Sequence, residues 1–377
     1  MATAGPAVRP EESVCVDLGM TPAVSREGSL RGHPSPFGGG AGGGVSPPAP
    51  VQAGGRADAP NPPGPPSLGG KGGDAPTDPP GEITATSVSL PRPVWEAARA
   101  ADLARLRPLA DDRTRRASRG EKHPVHDFLF EYYSFRPAQL LRWTPGADVL
   151  LAGAAAGELG WDEFVEADGG WIVPAASFPA HRVAYLRWAV AYLDAVAARE
   201  PSFACLGLHE WAMVYRDPNV RHPYVPLRLP RADTDAFVEG QPLRCTHYDA
   251  FRFFTPQAAP RNRLELTRAA ATEHDQPGCI HVTMDLYRFA YKVAPFGPSA
   301  VLADAFEVAA AARAIDMRAS PYDLTGYGYA PIRVETKDGR EEYVEHQRAL
   351  AARAAPVREK VRAVYARLLR GTGTPEE

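Results

Sequence analysis

The sequence predicts a mainly α-helical domain with a few short strands, preceded by a disordered N-terminal extension. Pro and Gly together fill 34 of the first 82 positions, 16 Pro and 18 Gly. Beyond about residue 88, apolar residues recur at helical spacing in several long segments. Strands and helices do not alternate there as they do in a doubly wound sheet. We therefore expect an extension over residues 1–87 and a single helical domain over residues 88–372.

The extension has too few large apolar residues to offset its conformational entropy by burial. It lacks the basic and then continuously apolar pattern of a secretory signal. No later segment approaches 18 uninterrupted apolar residues, so the sequence predicts no membrane partner. These observations predict a cytoplasmic protein, and nothing in the sequence implies a protein partner.

The first half of the predicted domain contains one long helix and several short elements. Pro91 or Pro93 suits the first turn of a helix that runs to residue 116. A shorter helix is predicted over residues 124–133, and a short strand over 147–151. Residues 164–173 have the form of a β-hairpin around an Asp-Gly turn at 168–170.

The second half is dominated by long helices. The apolar spacing predicts them at 179–199, 280–293 and 299–318, a shorter one at 206–215, and a closing helix through residue 370. Residues 217–245 contain five prolines and are predicted to be loop-rich. Residues 245–254 are ambiguous between strand and helix, and residues 332–339 suggest a second small hairpin.

Charge and motifs exclude several function classes. The extension up to residue 82 holds 5 of the 42 basic and 8 of the 45 acidic residues, which leaves the domain 37 of each. A neutral domain binds nucleic acid only if its basic groups gather on one face. The sequence has no GxGxxG after a strand, no GxxxxGK[ST], no HExxH and no GxSxG. Its four cysteines lack CxxC spacing, which argues against a zinc ribbon or a disulfide framework.

Four segments combine histidine with nearby acids. His126 opens the 124–133 helix. His209 and Glu210 lie mid-helix beside Trp211, either at the rim of the core or in a pocket. Residues 244–252 gather groups that suit a binding wall or, alternatively, a half-buried strand with ordinary salt bridges: Arg244, His247, Asp249, Phe251 and Arg252. On the 280–293 helix His281, Asp285, Arg288 and Lys292 form one polar stripe, for which a solvated face is the favoured interpretation.

Residues 123–137, with the sequence HPVHDFLFEYYSFRP, resemble an actinobacterial family labelled 3-methyladenine DNA glycosylase. Residues 207–216, 244–256 and 316–324 extend the resemblance, so that it covers about residues 90–370. A helix–hairpin–helix with a Gly-rich turn is not readable, so no catalytic aspartate is transferred by position.

The resemblance implies a DNA-binding enzyme without a cofactor that flips an alkylated base out of the duplex and hydrolyses its N-glycosidic bond. A carboxylate would stabilise the oxocarbenium-like transition state and activate water. By residue type and neighbourhood, Asp249 is the first candidate for this carboxylate, Glu210 the second and Asp285 the third. The candidate substrate-binding residues are His247, Arg244, Arg252, Phe251, Trp211, His209, Tyr133 and His126.

Two other functions stay open at this point. His126, His209, His247 and His281 each lie near an acid in sequence. In a helical bundle they could converge on a divalent metal in a hydrolase or oxygenase. A ligand-binding protein without catalysis is the third possibility. Convergence of the four histidines distinguishes the metal hypothesis from the others.

Overall fold

The computed structural model describes residues 88–373, and the extension predicted to be disordered lies outside the described residues. The described part contains eleven α-helices and four short strands. The predicted mainly helical fold class is therefore confirmed. None of the helices described is both long and apolar enough to cross a membrane.

The α-helices account for about half of the described chain. They are α1 Arg92–Ser118, α2 Phe128–Glu131, α3 Pro137–Leu140, α4 Val183–Ala197, α5 Leu208–Ala212, α6 Arg231–Glu239, α7 Tyr248–Phe251, α8 Ala271–His274, α9 Ile280–Lys292, α10 Ser299–Ala319 and α11 Lys337–Gly371. Their bounds agree with the predicted long helices to within a few residues at α1, α4, α9 and α10. The predicted helices at 124–133 and 206–215 shorten to the single turns α2 and α5, flanked by turns.

A small sheet lies beside α1. Its strands are β1 Val88–Leu90, β2 Val149–Ala152, β3 Val165–Ala167 and β4 Gly170–Ile172, in the order β1-β2-β4-β3. β1 runs parallel to β2, and the other neighbours are antiparallel. The predicted hairpin is thus confirmed as β3 and β4. A Cβ at Gly170 would overlap the Leu151 carbonyl, so this position of the hairpin requires glycine.

Two sequence predictions between residues 217 and 254 are incomplete. The loop-rich segment contains α6, which begins directly after Pro230. Proline is well tolerated at a helix start. Pro230, one of the five prolines from which a loop was predicted, therefore directly precedes a helix. The ambiguous segment 245–254 forms the single helical turn α7, so its interpretation as a strand is wrong.

The hairpin predicted over residues 332–339 is also wrong. Lys337 and Asp338 begin α11, and the Thr336 side chain caps the helix by accepting a hydrogen bond from Gly339 N at 3.0 Å. Gly339 packs against the Arg333 carbonyl, where a Cβ would overlap the backbone. The Lys-Asp-Gly sequence therefore serves a helix start with a close backbone approach instead of a β-turn.

The core is formed where α9 packs against α10 and α11, with α4 on α11. Tyr287, Phe289 and Phe306 are fully buried there. α9 is surrounded by other elements, and Asp285 on its polar stripe is only 2 % exposed. The expectation that this stripe is a solvated face is therefore wrong. A smaller apolar cluster around Trp211 and Tyr343 joins α5, α6 and α7 to the start of α11.

Candidate functional site

Two polar networks lie along the polar stripe of α9. The first, called the His209 centre, consists of Cys205, His209, Glu210, His281, Arg313 and Asp316. α5 carries His209 and Glu210, α9 carries His281, and α10 carries Arg313 and Asp316. The turn into α5 is unusual because Leu206 and Gly207 both have positive φ, 52° and 71°. A left-handed non-glycine residue costs roughly 1–2 kcal/mol, so the surrounding packing holds this turn in place.

Direct hydrogen bonds connect the His209 centre. His209 Nε2 lies 2.6 Å from Asp316 Oδ1, and His209 Nδ1 lies 3.3 Å from the Cys205 sulfur. Arg313 donates to Glu210 Oε1 at 2.7 Å and to Asp316 Oδ2 at 2.8 Å. The His281 ring meets the His209 ring edge-on, with centroids 4.5 Å apart. Two carboxylates, one guanidinium and two imidazoles thus share one interior site.

Burial and neighbouring charges together shift the pKa values of the groups in this centre. Burial disfavours the Glu210 anion, but the Arg313 guanidinium outweighs it and lowers the pKa of Glu210 to about 2. Burial also disfavours protonated His209, yet the Asp316 carboxylate holds the pKa of His209 well above its usual value. Burial and the neighbouring His209 push the pKa of His281 well below 6.5. Of these two adjacent histidines, His209 therefore holds a proton more strongly than a free histidine does, and His281 holds one more weakly.

A small pocket opens next to the His209 centre. Its lining includes Cys205, His209 and His281. The other lining residues come from the loop before α5, from the 244–246 and 276–280 segments and from α11: Ser202, Arg244, Cys245, Thr246, Gln276, Cys279, Ile280, Tyr343 and Gln347. The Tyr343 hydroxyl and Gln347 Oε1 are buried and have no hydrogen-bond partner among the described residues. Buried polar atoms normally have partners, so this pair marks a place for a small polar ligand or water.

The second network, called the Asp249 cluster, consists of Asp249, Arg252, Arg268, Arg288 and Asp285. The Asp249 carboxylate lies 3.1 Å from Arg252 Nε, 3.3 Å from Arg288 Nη1 and 3.9 Å from Arg268 Nη2. Burial raises the pKa of Asp249, but nearby His247 and the arginines outweigh burial and lower it. Asp249 is therefore an ionised carboxylate at neutral pH.

His247 and Asp285 join the Asp249 cluster to the His209 centre. His247 Nδ1 lies 3.0 Å from Asp275 Oδ1, and its ring stacks on His281 at 5.4 Å. Asp285 accepts hydrogen bonds from the Tyr133 hydroxyl at 2.9 Å and from Arg288 at 2.5 Å. Burial raises the pKa of Asp285. His247, Asp249, Asp285, Tyr133 and Arg252, all selected from the sequence, thus come together beside the middle of α9.

The other selected residues lie elsewhere or have packing roles. His126 hydrogen-bonds to the Tyr329 hydroxyl at 2.8 Å and lies near Asp112, so three of the four proposed metal-binding histidines converge and His126 does not. Trp211 is fully buried and donates to the Ala319 carbonyl, as a core residue. Phe251 packs against Phe254. Arg244 is exposed at the mouth of the pocket.

The His123 side chain beside His126 supports a prediction about acid stability. His123 Nδ1 accepts hydrogen bonds from the backbone N–H groups of Val125 and His126, at 3.2 and 3.1 Å. A proton on Nδ1 would break both bonds. Burial, together with His126 and Arg116, lowers the pKa of His123 to about 4, against 6.5 for an unfolded histidine.

Because His123 is held neutral, its contribution to stability is complete above pH 6.5 and is lost as the pH falls toward 4. The loss is at most about 3 kcal/mol, since each pKa unit corresponds to roughly 1.4 kcal/mol. In His123→Asn the amide oxygen can accept the same bonds without titrating. We expect urea unfolding at pH 7 and pH 4.5 to show a smaller acid loss in His123→Asn. Equal losses in the two proteins would assign the acid sensitivity to other groups.

Three central residues, Cys205, Asp275 and Arg313, were not singled out from the sequence. Arg288 appeared there only in the polar stripe of the 280–293 helix, and Asp316 only in the segment 316–324, so neither was chosen as a site residue. Arg313 and Asp316 interrupt a stretch of α10 that is otherwise rich in alanine and apolar residues. Two opposite charges three positions apart on such a face indicate a buried ion pair, and this signal could have found them. Cys205 has no comparable signal, because its place beside His209 depends on the turn at 206–207.

Comparison with known protein families, curated proteins and solved structures finds no match to this chain. What the two networks can do chemically must therefore be inferred from their residues.

Proposed function

We propose that the protein is a cytoplasmic DNA-repair enzyme, a 3-methyladenine DNA glycosylase that hydrolyses the N-glycosidic bond of alkylated bases. The observation that carries the proposal is the Asp249 cluster, in which an ionised carboxylate lies among three arginines. Among the three candidate carboxylates Asp249 is the most accessible. Its side chain is 15 % exposed, against 6 % for Glu210 and 3 % for Asp285. The sequence resemblance supports the same activity.

The surroundings of Asp249 supply the groups that nucleic-acid binding requires. Arg221, Arg252 and Arg268 are exposed and lie over aromatic rings. Arg221 and Arg252 lie 4.8 and 4.2 Å from the Phe253 ring, and Arg268 lies 5.3 Å from the Tyr248 ring. A domain with no overall positive charge thus has a local basic face. Guanidinium groups interleaved with rings are typical of surfaces that bind phosphates and stack bases.

The reaction would use the arginines and the carboxylate in turn. DNA phosphates would draw the exposed guanidinium groups outward and leave the Asp249 carboxylate free to face the sugar. The flipped, positively charged methylated base would stack on an aromatic ring. As the bond between the sugar and the base breaks, Asp249 would stabilise the oxocarbenium-like sugar and accept a proton from the attacking water. The base leaves as neutral 3-methyladenine.

Base release tests this function directly. We expect the full chain to release 3-methyladenine from methylated duplex DNA at least 100-fold faster than a protein-free control, measured by chromatography of the free base in a single-turnover assay. Unmethylated DNA of the same sequence is the substrate control. Folded protein that binds methylated DNA but releases no base would overturn the enzymatic proposal in favour of a ligand-binding protein. Absence of both binding and release would overturn the DNA assignment as well.

A further inference from the structure

We propose that His209, His281 and Asp316 form a binding site for one divalent metal ion, either Zn²⁺ or Fe²⁺. The site shares no residue with the Asp249 cluster and does not depend on the glycosylase proposal. Two imidazoles and one carboxylate are a donor set that these ions prefer, whereas Mg²⁺ and Ca²⁺ prefer oxygen ligands. We therefore expect the site to bind Zn²⁺ or Fe²⁺ in preference to Mg²⁺ or Ca²⁺.

The geometry of the three side chains is close to that of a coordination site. One potential ligand atom from each residue lies within 4.8 Å of the other two. In a tetrahedral site, metal–ligand bonds of about 2.0–2.2 Å place neighbouring ligand atoms roughly 3.4 Å apart. The 2.6 Å contact between His209 Nε2 and Asp316 Oδ1 must therefore open by about 0.8 Å. The ion would then take the place of the proton that these two atoms share.

The residues behind the three ligands have the arrangement that metal sites require. Ligating histidines usually donate their second N–H to an acceptor, and ligating carboxylates are themselves hydrogen-bonded. His209 Nδ1 is placed 3.3 Å from the Cys205 sulfur, and Asp316 Oδ2 accepts from Arg313 at 2.8 Å. Glu210 in turn fixes Arg313. These contacts hold the His209 ring and the Asp316 carboxylate in a fixed orientation.

Charge favours a cation in this place. Glu210 and Asp316 bring two carboxylates to the centre and Arg313 brings one positive charge, and the carboxylates are 4 % and 0 % exposed. With the proton removed from His209, these groups carry one net negative charge, which a divalent ion would more than compensate without solvent. Burial makes this compensation strong, because opposite charges attract more in a medium of low polarity.

The pocket provides the open side that separates a reactive metal site from a structural one. His209 and His281 are both in its lining, as are Tyr343 and Gln347, whose hydroxyl and Oε1 are buried without a partner in the part of the chain that the structure describes. A water molecule on the ion could donate to Gln347 and accept from Tyr343. Three protein ligands plus one water is the arrangement of catalytic zinc sites, in which the ion makes that water a nucleophile at neutral pH.

Metal content of the purified full chain tests the inference. We expect about one Zn or Fe per chain by mass spectrometry of metals after purification without chelator. We also expect that Zn²⁺ added back to chelator-treated protein raises its Tm, whereas Mg²⁺ does not. In His281→Gln, affinity for Zn²⁺ should fall at least 10-fold. The matched control is His126→Gln, a histidine held by Tyr329 outside this centre, which should bind Zn²⁺ as the wild type does.

His281→Gln is the decisive variant. His281 is held by ring contacts with His209 and His247, so its replacement is less prone to unfold the protein than a change at Asp316 is. Asp316→Asn, which keeps the side-chain shape, is the second variant. Zn²⁺ binding that is absent in the wild type, or equal in the wild type and His281→Gln, would overturn the site. Base release measured with and without chelator keeps the two proposals apart, because chemistry at Asp249 should survive metal removal.

Discussion

Replacing Arg313 with leucine should lower the free energy of unfolding by about 3–5 kcal/mol, the typical cost of removing one partner from a buried ion pair. Arg313 is 1 % exposed and bridges Glu210 to Asp316. Without it, Glu210 remains in the interior with no cation bonded to it, and Asp316 keeps only its contact with the protonated His209 ring among the contacts described above. The measurement is equilibrium unfolding in urea at pH 7, in chelator so that bound metal does not contribute.

Arg362→Leu is the matched control for this change. Arg362 also pairs with one aspartate, Asp194, through two hydrogen bonds, but the two side chains are 42 % and 50 % exposed. Exposed pairs contribute about 0–1 kcal/mol, so the control should lose little. A second variant, Arg313→Leu with Glu210→Gln, should recover part of the stability because it removes one unpaired charge. Similar losses in Arg313→Leu and Arg362→Leu would mean that Arg313 is effectively solvated.

The second large effect is expected on catalysis. In Asp249→Asn the rate of 3-methyladenine release should fall by about 100- to 10,000-fold, the usual range for a catalytic acid or base. The amide keeps the shape of the side chain but neither carries the negative charge that stabilises the sugar cation nor accepts the proton from water. DNA affinity should be unchanged or slightly higher, because Arg252 and Arg268 lose a competing anion.

Single-turnover release and DNA binding should be measured on the same preparation of Asp249→Asn, with urea unfolding to verify the fold. The charge-matched control is Asp233→Asn, an exposed residue in the first turn of α6, for which release should equal that of the wild type. Full release by folded Asp249→Asn would remove Asp249 as the catalytic carboxylate. Glu210 would then become the first candidate, and the His209 centre rather than the Asp249 cluster would contain the active site.

Patterns among neighbouring residues correctly predicted several helices and one hairpin. The apolar spacing located α1, α4, α9 and α10, and the Asp-Gly turn located the β3–β4 hairpin. The same approach failed at residues 337–339, where the Lys-Asp-Gly sequence suggested a turn. Whether glycine serves a turn or a close approach depends on the carbonyl of Arg333, which packs against it. That contact is a property of the folded chain and not of the three residues.

The candidate site divides in the same way. Residues 244–252 were identified because several chemically useful side chains lie close together in sequence, and they do meet around Asp249. The His209 centre instead joins His209 to Asp316 across 107 positions. Periodicity located α9 but assigned its polar stripe to solvent, because a polar stripe on a helix surrounded by other helices faces buried partners instead of water. Whether the polar stripe faces water or buried partners is decided by the packing of α9 against α10.

The buried charges of the His209 centre also determine when this domain can become native during its synthesis. Glu210 leaves the ribosome 103 residues before its partner Arg313. At synthesis rates of about 5–20 residues per second, this interval is roughly 5–20 s. Throughout it the His209–Glu210 turn must stay hydrated, because its charges have no partner yet and burying them would be costly. The N-terminal half of the domain should therefore remain open to chaperones and proteases until α10 has emerged.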